Sequence, residues 1–263
     1  MIEILDKKLD EKDMWLNRYI PYEKHERCLK NGQFKLNFVR VELFDDVLEG
    51  WNYGSPHLTK AWLDSIAFFK RVLNDGGIVE SGKSLILLLS KLGGINKNEI
   101  ILKNEVNKYL DLVHSNFCSC WFVSETPTSE ERYMWNIYGN SRNELALMIS
   151  IKWSDLKLEL EKSDKTFICG NIDYSNSENN NPLFKKHHSY SHEKEFRIIT
   201  KDYESDHNDF IISKNIKKVV IFSQPPSSEK YTKIKSNLNL EIDELKYSEL
   251  PIQWEISKIK EIL

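Results

Sequence analysis

Lys185-Lys186-His187-His188-Ser189-Tyr190-Ser191-His192-Glu193-Lys194-Glu195-Phe196-Arg197-Ile198-Ile199 is the stretch on which the reading of this chain turns. It reads as a strand. From Glu193 onward the pattern alternates, with Glu193, Glu195 and Arg197 on one face and Phe196 and Ile198 on the other. Same-face side chains start roughly 6.6 Å apart, from a rise of about 3.3 Å per residue. Two carboxylates at that separation can grip one small polar group, or divide acid and base work between them. The lysines and histidines just upstream suit an anionic partner. The competing reading is an exposed edge strand whose charges discourage pairing between edges.

The chain around this stretch has 263 residues, enough for one large domain or a domain with an insert. It is 40% hydrophobic and 11% aromatic, with seven tryptophans, which can fill a sizeable core. A net charge of -3 excludes an overall basic clamp for nucleic acid, though not a local basic patch. Cys28, Cys118, Cys120 and Cys169 make no CxxC pair and no metal-like spacing, so they read as free thiols. The chain opens on charged rather than apolar residues, and Leu85–Leu89 is far too short an apolar run to span a bilayer. A reducing cytoplasm is the expected location.

Along the chain, residues 3–16 suggest a short helix, and Tyr22–Leu29 a second one stopped by Asn31-Gly32. Phe34, Leu36 and Phe38 mark a strand, followed by an acidic turn from Phe44 to Trp51. Residues 58–113 look wholly helical, with Trp62, Ile66, Phe69 and Val72 at helical spacing. Beyond residue 117 the texture changes to short strands, at Phe117–Val123, Leu145–Ile151, Thr166–Tyr174, Phe196–Thr200, Phe210–Ser213 and Lys218–Phe222. Helices are expected between them at about 129–138, 153–161 and 227–237, and a polar loop at Ser175–Pro182. The expected architecture is α+β: a mixed, mostly antiparallel sheet core flanked by helices, in a single domain over residues 1–263 with a helical insert over 57–113.

Two further motifs bear on chemistry. Gly77-Ile78-Val79-Glu80-Ser81-Gly82-Lys83-Ser84 matches GxxxxGK[ST] in full, the pattern whose backbone N–H groups cradle phosphates. A P-loop must follow a buried strand, however, and Ala61–Asn74 reads as an amphipathic helix, which favours a turn between two helices. The second motif runs from Cys118-Ser119-Cys120-Trp121-Phe122-Val123-Ser124 into Ser129–Gly139. A strand ends in a polar turn, and Thr128 or Ser129 caps a helix with acidic residues in its first turn. Met134 and Trp135 read as core, whereas Trp121 and Ser124 at the strand's end are candidates for a site.

In order along the chain, Arg18-Tyr19, Phe34–Phe38, Asp46-Val47-Leu48-Glu49-Gly50, Cys120-Trp121 with Glu130, Met134-Trp135 and Tyr138, and Lys185-Lys186 with Ser189-Tyr190 and Glu193-Lys194-Glu195-Phe196-Arg197 form a series. That series resembles the bacterial domain-of-unknown-function 2971 family, over residues 18 to about 222. The chain departs from the family pattern where Asp-Val-Leu-Glu replaces Asp-Pro-Phe-Glu, and where Glu131 stands in place of the usual serine. An early Arg-Tyr, a serine-bearing middle strand and a late Glu-x-Glu also look similar to the ADP-ribosyltransferase plan, an analogy at the level of fold.

That similarity implies NAD as a substrate. Glu195 would hold the ribose hydroxyl and the developing oxocarbenium-like charge, as in glycoside cleavage. Glu193 would orient or deprotonate the acceptor. Arg18 would pair with the NAD phosphates, Tyr19 or Trp121 would stack on the nicotinamide, and Ser124 and Lys186 join the NAD-contacting set. Ser119 competes with Ser124 for the middle-strand serine. Arg197 either joins the chemistry or simply neutralises Glu195. No metal is required. The acceptor, a protein or a nucleic acid, is left open, as is a partner protein or a homo-oligomer, and the biological setting implied is a toxin or an antiviral defence effector. Two other classes compete: a nucleic-acid enzyme or binder using Lys185, Lys186, His187, His188 and the carboxylates with a divalent metal, and a non-catalytic sensor or interaction protein in which these blocks are only core.

Overall fold

The computed structural model describes residues 1–5, 12–29, 34–44, 108, 111–127, 132–139, 145–175, 181–186, 188–212, 218–224, 227–238 and 244–247. Its strands are β1 (Ile2–Ile4), β2 (Trp15–Pro21), β3 (Phe34–Arg40), β4 (Phe117–Ser124), β5 (Ala146–Lys152), β6 (Phe167–Asn171), β7 (Glu195–Thr200), β8 (His207–Ile212), β9 (Lys218–Phe222) and β10 (Glu244–Tyr247). The helices are α1 (His25–Leu29), α2 (Arg132–Ile137), α3 (Trp153–Glu161) and α4 (Ser228–Leu238). Residues 111–115 run helical through the end of the insert expected over 57–113. The rest of that insert apart from Lys108, including Gly77–Ser84, lies outside the described residues, as do Asp46–Gly50, Glu130, Glu131 and His187. Among the described residues no helix is long and apolar enough to cross a membrane.

The strands form one sheet in the order β1-β6-β7-β4-β2-β5-β9-β10, with β3 and β8 branching from β4. Among the described strands only β1–β6 and β9–β10 pair in parallel. The fold is therefore α+β with a mixed, mostly antiparallel sheet. Runs such as Ala-Leu-Met-Ile-Ser-Ile in β5 and Lys-Val-Val-Ile-Phe in β9 are buried throughout, as expected of strands covered on both faces. β8 alternates instead, with one face wet.

The branch decides where the site can lie. One edge of β4 carries β7 from Phe117 to Phe122. Its other edge is shared: β3 pairs with Phe117 and Cys118, whereas β2 pairs with Phe122, Val123 and Ser124. The sheet thus forks into an arm β2-β5-β9-β10 and an arm β3–β8, with Ser119–Trp121 in the crotch. The main core fills one face of this fork, where Leu16, Leu36, Phe38, Trp121, Ile149, Phe196 and Ile198 meet Trp153, Leu156 and Leu160 of α3. Those three α3 residues recur at helical spacing and give that helix its single apolar stripe. The opposite face carries two smaller clusters. One holds Tyr19, Phe122, Met134, Trp135 and Met148; the other holds Cys118, Ile172, Leu183, Phe184 and Ile199.

Several expectations change. The helix expected over residues 3–16 gives way at both ends, because Ile2–Ile4 pairs with Phe167–Cys169 and Trp15 opens a strand paired on both sides. Non-local pairing overrides local helix preference here. The strand expected across Lys185–Ile199 begins only at Glu195, and His188–Glu193 forms a 3-10 helix. Nor is β7 an edge strand. It lies between β6 and β4, and all six of its residues are buried.

Candidate active site

The polar residues of β7 point away from the main core. Glu195 lies opposite Phe122 and Arg197 opposite Cys120, on the face that bears the two smaller clusters, while Phe196 and Ile198 face Trp121 and Ser119. Along that face Glu195 and Arg197 fall between the cluster around Phe122 and the cluster around Cys118 and Ile199. Two charged side chains thus sit in an otherwise apolar layer, where they are tolerable only if paired.

They are paired. Arg197 Nε donates to Glu195 Oε1 at 2.7 Å and Arg197 Nη2 donates to Glu195 Oε2 at 3.2 Å. Arg197 Nη1 donates to the carbonyl of Leu183 at 2.7 Å, which ties the strand to the 3-10 turn Pro182–Phe184. Lys186 then joins the two carboxylates, its Nζ donating to Glu193 Oε2 at 2.6 Å and to Glu195 Oε2 at 3.2 Å. Its backbone is set by Lys186 N donating to the carbonyl of Asp173, beside the bridge between Asp173 and Lys185. The small polar group that the two glutamates grip is therefore the chain's own ammonium.

Glu193 reaches this cluster from outside the strand. It ends the 3-10 helix, and Lys194 follows with φ of 41°, a left-handed conformation rare for a residue with a side chain. Lys194 N donates to the Ser191 carbonyl, and the Lys194 carbonyl accepts from Val123 N at 3.0 Å, so β4 holds the turn in place. The turn leaves Glu193 only 4% exposed, beside Glu195 at 6%.

Burial works to raise the pKa of Glu195, but Arg197, then Lys186, and hydrogen bonds from Arg197 and Cys120 outweigh it and hold the carboxyl down at about 2. The Cys120 thiol is pushed well up, first by its contact with Cys118, whose Sγ lies 3.6 Å away, and then by burial. The Cys120 thiol is therefore not a ready nucleophile.

Aromatic residues ring the cluster. Tyr138 donates its hydroxyl to Glu193 Oε1 at 2.9 Å. Burial, then the Glu193 charge, raises the Tyr138 pKa and keeps that hydroxyl protonated. The Tyr174 hydroxyl accepts from Glu195 N at 2.9 Å, and Lys186 Nζ lies 4.8 Å from the centre of the Tyr190 ring. Tyr133 meets His192 edge to face at 4.1 Å. Tyr133 and Tyr138 remain 41% and 42% exposed, so the rim meets solvent at α2 while the ionic centre is dry.

Of the residues singled out in the sequence, Glu193, Glu195, Arg197 and Lys186 come together. Tyr19 and Ser124 share their sheet face, but Tyr19 packs on Trp135 at 4.9 Å, and Ser124 accepts from Asn17 Nδ2 at 2.6 Å beside Ser150. Arg18 and Trp121 are on the opposite face. Arg18 Nη1 donates to Ser119 Oγ at 2.9 Å and its guanidinium carbon lies 5.8 Å from the Trp121 ring centre, across the sheet from Glu195. One site joining Arg18, Trp121 and Glu195 does not form. Sequence reasoning passed over Tyr138, Tyr174 and Cys120 as site residues. Tyr138 had a signal, being the polar aromatic residue that follows the buried Met134-Trp135 pair on α2. Among the described residues no group of three His, Cys, Asp or Glu side chains is placed to hold a metal. Comparison with known proteins finds no matching family model, no matching curated protein and no matching solved structure.

Proposed function

We propose that this chain is an NAD-consuming enzyme of the ADP-ribosyltransferase type, acting in a bacterial cytoplasm as a toxin or defence effector, with its chemistry at Glu193 and Tyr138. The observation that carries the reading is the convergence of Glu193 and Glu195 on Lys186, with the Tyr138 hydroxyl on Glu193 at the solvent-facing rim. The order of motifs resembling the domain-of-unknown-function 2971 family supports it. When the bond from nicotinamide to ribose breaks, positive charge develops on the ribose, and a fixed carboxylate beside it lowers the barrier. Glu193 is the carboxylate that the rim residue Tyr138 contacts directly. Glu195, clamped by Arg197, positions Lys186 and through it Glu193. The exposed rings of Tyr133 and His192 offer a surface on which the nicotinamide stacks. The acceptor is a protein or a nucleic acid. Release of free nicotinamide from NAD by the wild type, lost in Glu193→Gln, tests this reading.

One observation favours a second reading. Both oxygens of Glu193 and both of Glu195 already accept from donors within the chain. A cluster so fully satisfied also suits a non-catalytic protein that uses a buried ionic clamp to fix its fold. In that case the wild type releases no nicotinamide although it is folded.

A further inference from the structure

Cys118 and Cys120 point to the same face of β4, and their Sγ atoms lie 3.6 Å apart. Both residues are held by β7, with Cys118 opposite Ile199 and Cys120 opposite Arg197. The thiols are free, and the reaction proposed at Glu193 uses neither. Cys-x-Cys is not a spacing that marks a metal site in a sequence. The extended strand is what brings the two sulfurs to one side.

Two thiols this close invite a disulfide, but the strand forbids it. Same-face side chains on a strand start roughly 6.6 Å apart, whereas a disulfide needs Cβ atoms about 3.5–4.5 Å apart. Closing that gap would break the pairing of β4 with β7. The sulfurs meet only because both side chains lean inward from widely spaced Cβ atoms. Rotation of the side chains alone widens their separation from contact towards the roughly 6.6 Å of the strand repeat. Two thiolates on opposite sides of one metal ion stand about 4.6 Å apart, twice a metal–sulfur bond of about 2.3 Å. That span lies within the range.

The surroundings select the ion. Among the described residues no group of three His, Cys, Asp or Glu side chains is placed to hold a metal, so the donor set is two sulfurs. Thiolates without harder ligands select Cu(I), which two thiolates in line satisfy. Cys118 is 2% exposed among Ile172, Leu183, Phe184 and Ile199, whereas Cys120 is only partly buried. One ligand is thus fixed in an apolar wall and the other is reachable. The contact with Cys118 that holds the Cys120 thiol protonated gives way when both sulfurs bind one ion, and Arg197 favours the thiolate. Cys28 and Cys169 belong to the main core on the other face of the sheet, so neither joins the pair.

We propose that Cys118 and Cys120 form a two-coordinate site for a soft monovalent metal ion, Cu(I). Each thiol gives its proton to solvent as a sulfur–copper bond forms, and the oxidation state of copper does not change. The site neighbours the Glu195–Arg197 pair but does not depend on the NAD reading.

The test is anaerobic competition for Cu(I) between the full chain and the chromophoric chelator bicinchoninate. Wild type takes up one equivalent and gains thiolate-to-copper absorbance in the near ultraviolet. Cys118→Ala and Cys120→Ser each weaken uptake by more than about 100-fold, since even a supporting partner of a metal ligand is worth about 10–100-fold. Cys28→Ala and Cys169→Ala bind as the wild type does. Cys120 is partly exposed, so Cys120→Ser tests the site without emptying the core, and matching metal-free unfolding curves confirm it. Nicotinamide release is a separate readout on the metal-free protein, so its absence leaves this test intact. Failure of wild type to compete for Cu(I) overturns the proposal. Uptake unchanged in both Cys118→Ala and Cys120→Ser also overturns it, as does a Cys118–Cys120 disulfide that forms on mild oxidation of the folded protein.

Discussion

Glu195 and Arg197 stand two residues apart on one strand and share two hydrogen bonds, of 2.7 and 3.2 Å, inside the protein. An extended backbone sends both side chains to the same face, so a local pattern in the sequence becomes a buried ion pair. The pair is completed by Lys186 and, through it, by Glu193. This cluster carries both the stability and the proposed chemistry of that face of the sheet.

Removing the Glu195 charge leaves Arg197, 1% exposed, and Lys186 short of a counter-charge. Breaking one partner of a buried pair costs about 3–5 kcal/mol. Glu195→Gln is therefore expected to lose about 3 kcal/mol of unfolding free energy, read from the urea midpoint. A loss within about 0.5 kcal/mol, typical of a surface position, would contradict the burial of β7.

The same carboxyl sets a pH dependence. Its pKa in the folded chain lies at about 2, below its ordinary 4.5, so the unfolded chain binds the proton more readily. Stability from this group is fully present above about 4.5 and is lost as pH falls through that value towards 2. Urea midpoints measured from pH 7 down to pH 3 are expected to fall in the wild type, and to fall less steeply in Glu195→Gln. Parallel slopes would remove Glu195 from the account.

Asn17 is a separate buried polar anchor. Its Nδ2 donates to Ser124 Oγ at 2.6 Å and to the Phe122 carbonyl at 3.3 Å, and its Oδ1 accepts from Ser150 Oγ. It pins β2 to β4 and β5 where the sheet forks. Asn17→Ala strands these groups without partners and is expected to cost about 2 kcal/mol, measurable as a lower thermal midpoint. An unchanged midpoint would show that the fork is held by backbone pairing alone.

Gly139 closes the turn after Tyr138. A Cβ there would meet Ala146 Cβ and the Trp135 carbonyl oxygen, each at 2.8 Å. Gly139→Ala is expected to destabilise by about 1–3 kcal/mol and to move Tyr138 away from Glu193. Unaltered stability together with an unaltered tyrosine environment, followed by absorbance in the near ultraviolet, would contradict this packing.

The sheet was legible because its inner strands are continuous apolar runs, and α3 because Trp153, Leu156 and Leu160 mark one stripe. The alternation of Glu195 and Arg197 with Phe196 and Ile198 was legible too. What no local pattern could show is which face of β2 meets that of β7. Arg18 and Tyr19 point to opposite sides, and a shift of one residue in the pairing of β2 with β4 would exchange them. That register comes from pairing across more than a hundred residues of chain, and it separates Arg18 and Trp121 from Glu195. β1 escaped notice for a similar reason, since Ile2–Ile4 takes its form from a parallel partner at Phe167–Cys169. Charge inside β7 suggested an exposed edge, because only the fold shows that Lys186 and Arg197 neutralise it.

The central claim is that Glu193, held between Tyr138 and Lys186, performs chemistry on NAD. Its most direct test is the rate of free nicotinamide release from NAD by wild type, Glu193→Gln and Tyr138→Phe, each shown to be folded. The account predicts release by the wild type, a loss of about 10²-fold or more in Glu193→Gln, and a smaller loss in Tyr138→Phe. No release by a folded wild type, or full release by Glu193→Gln, would contradict it.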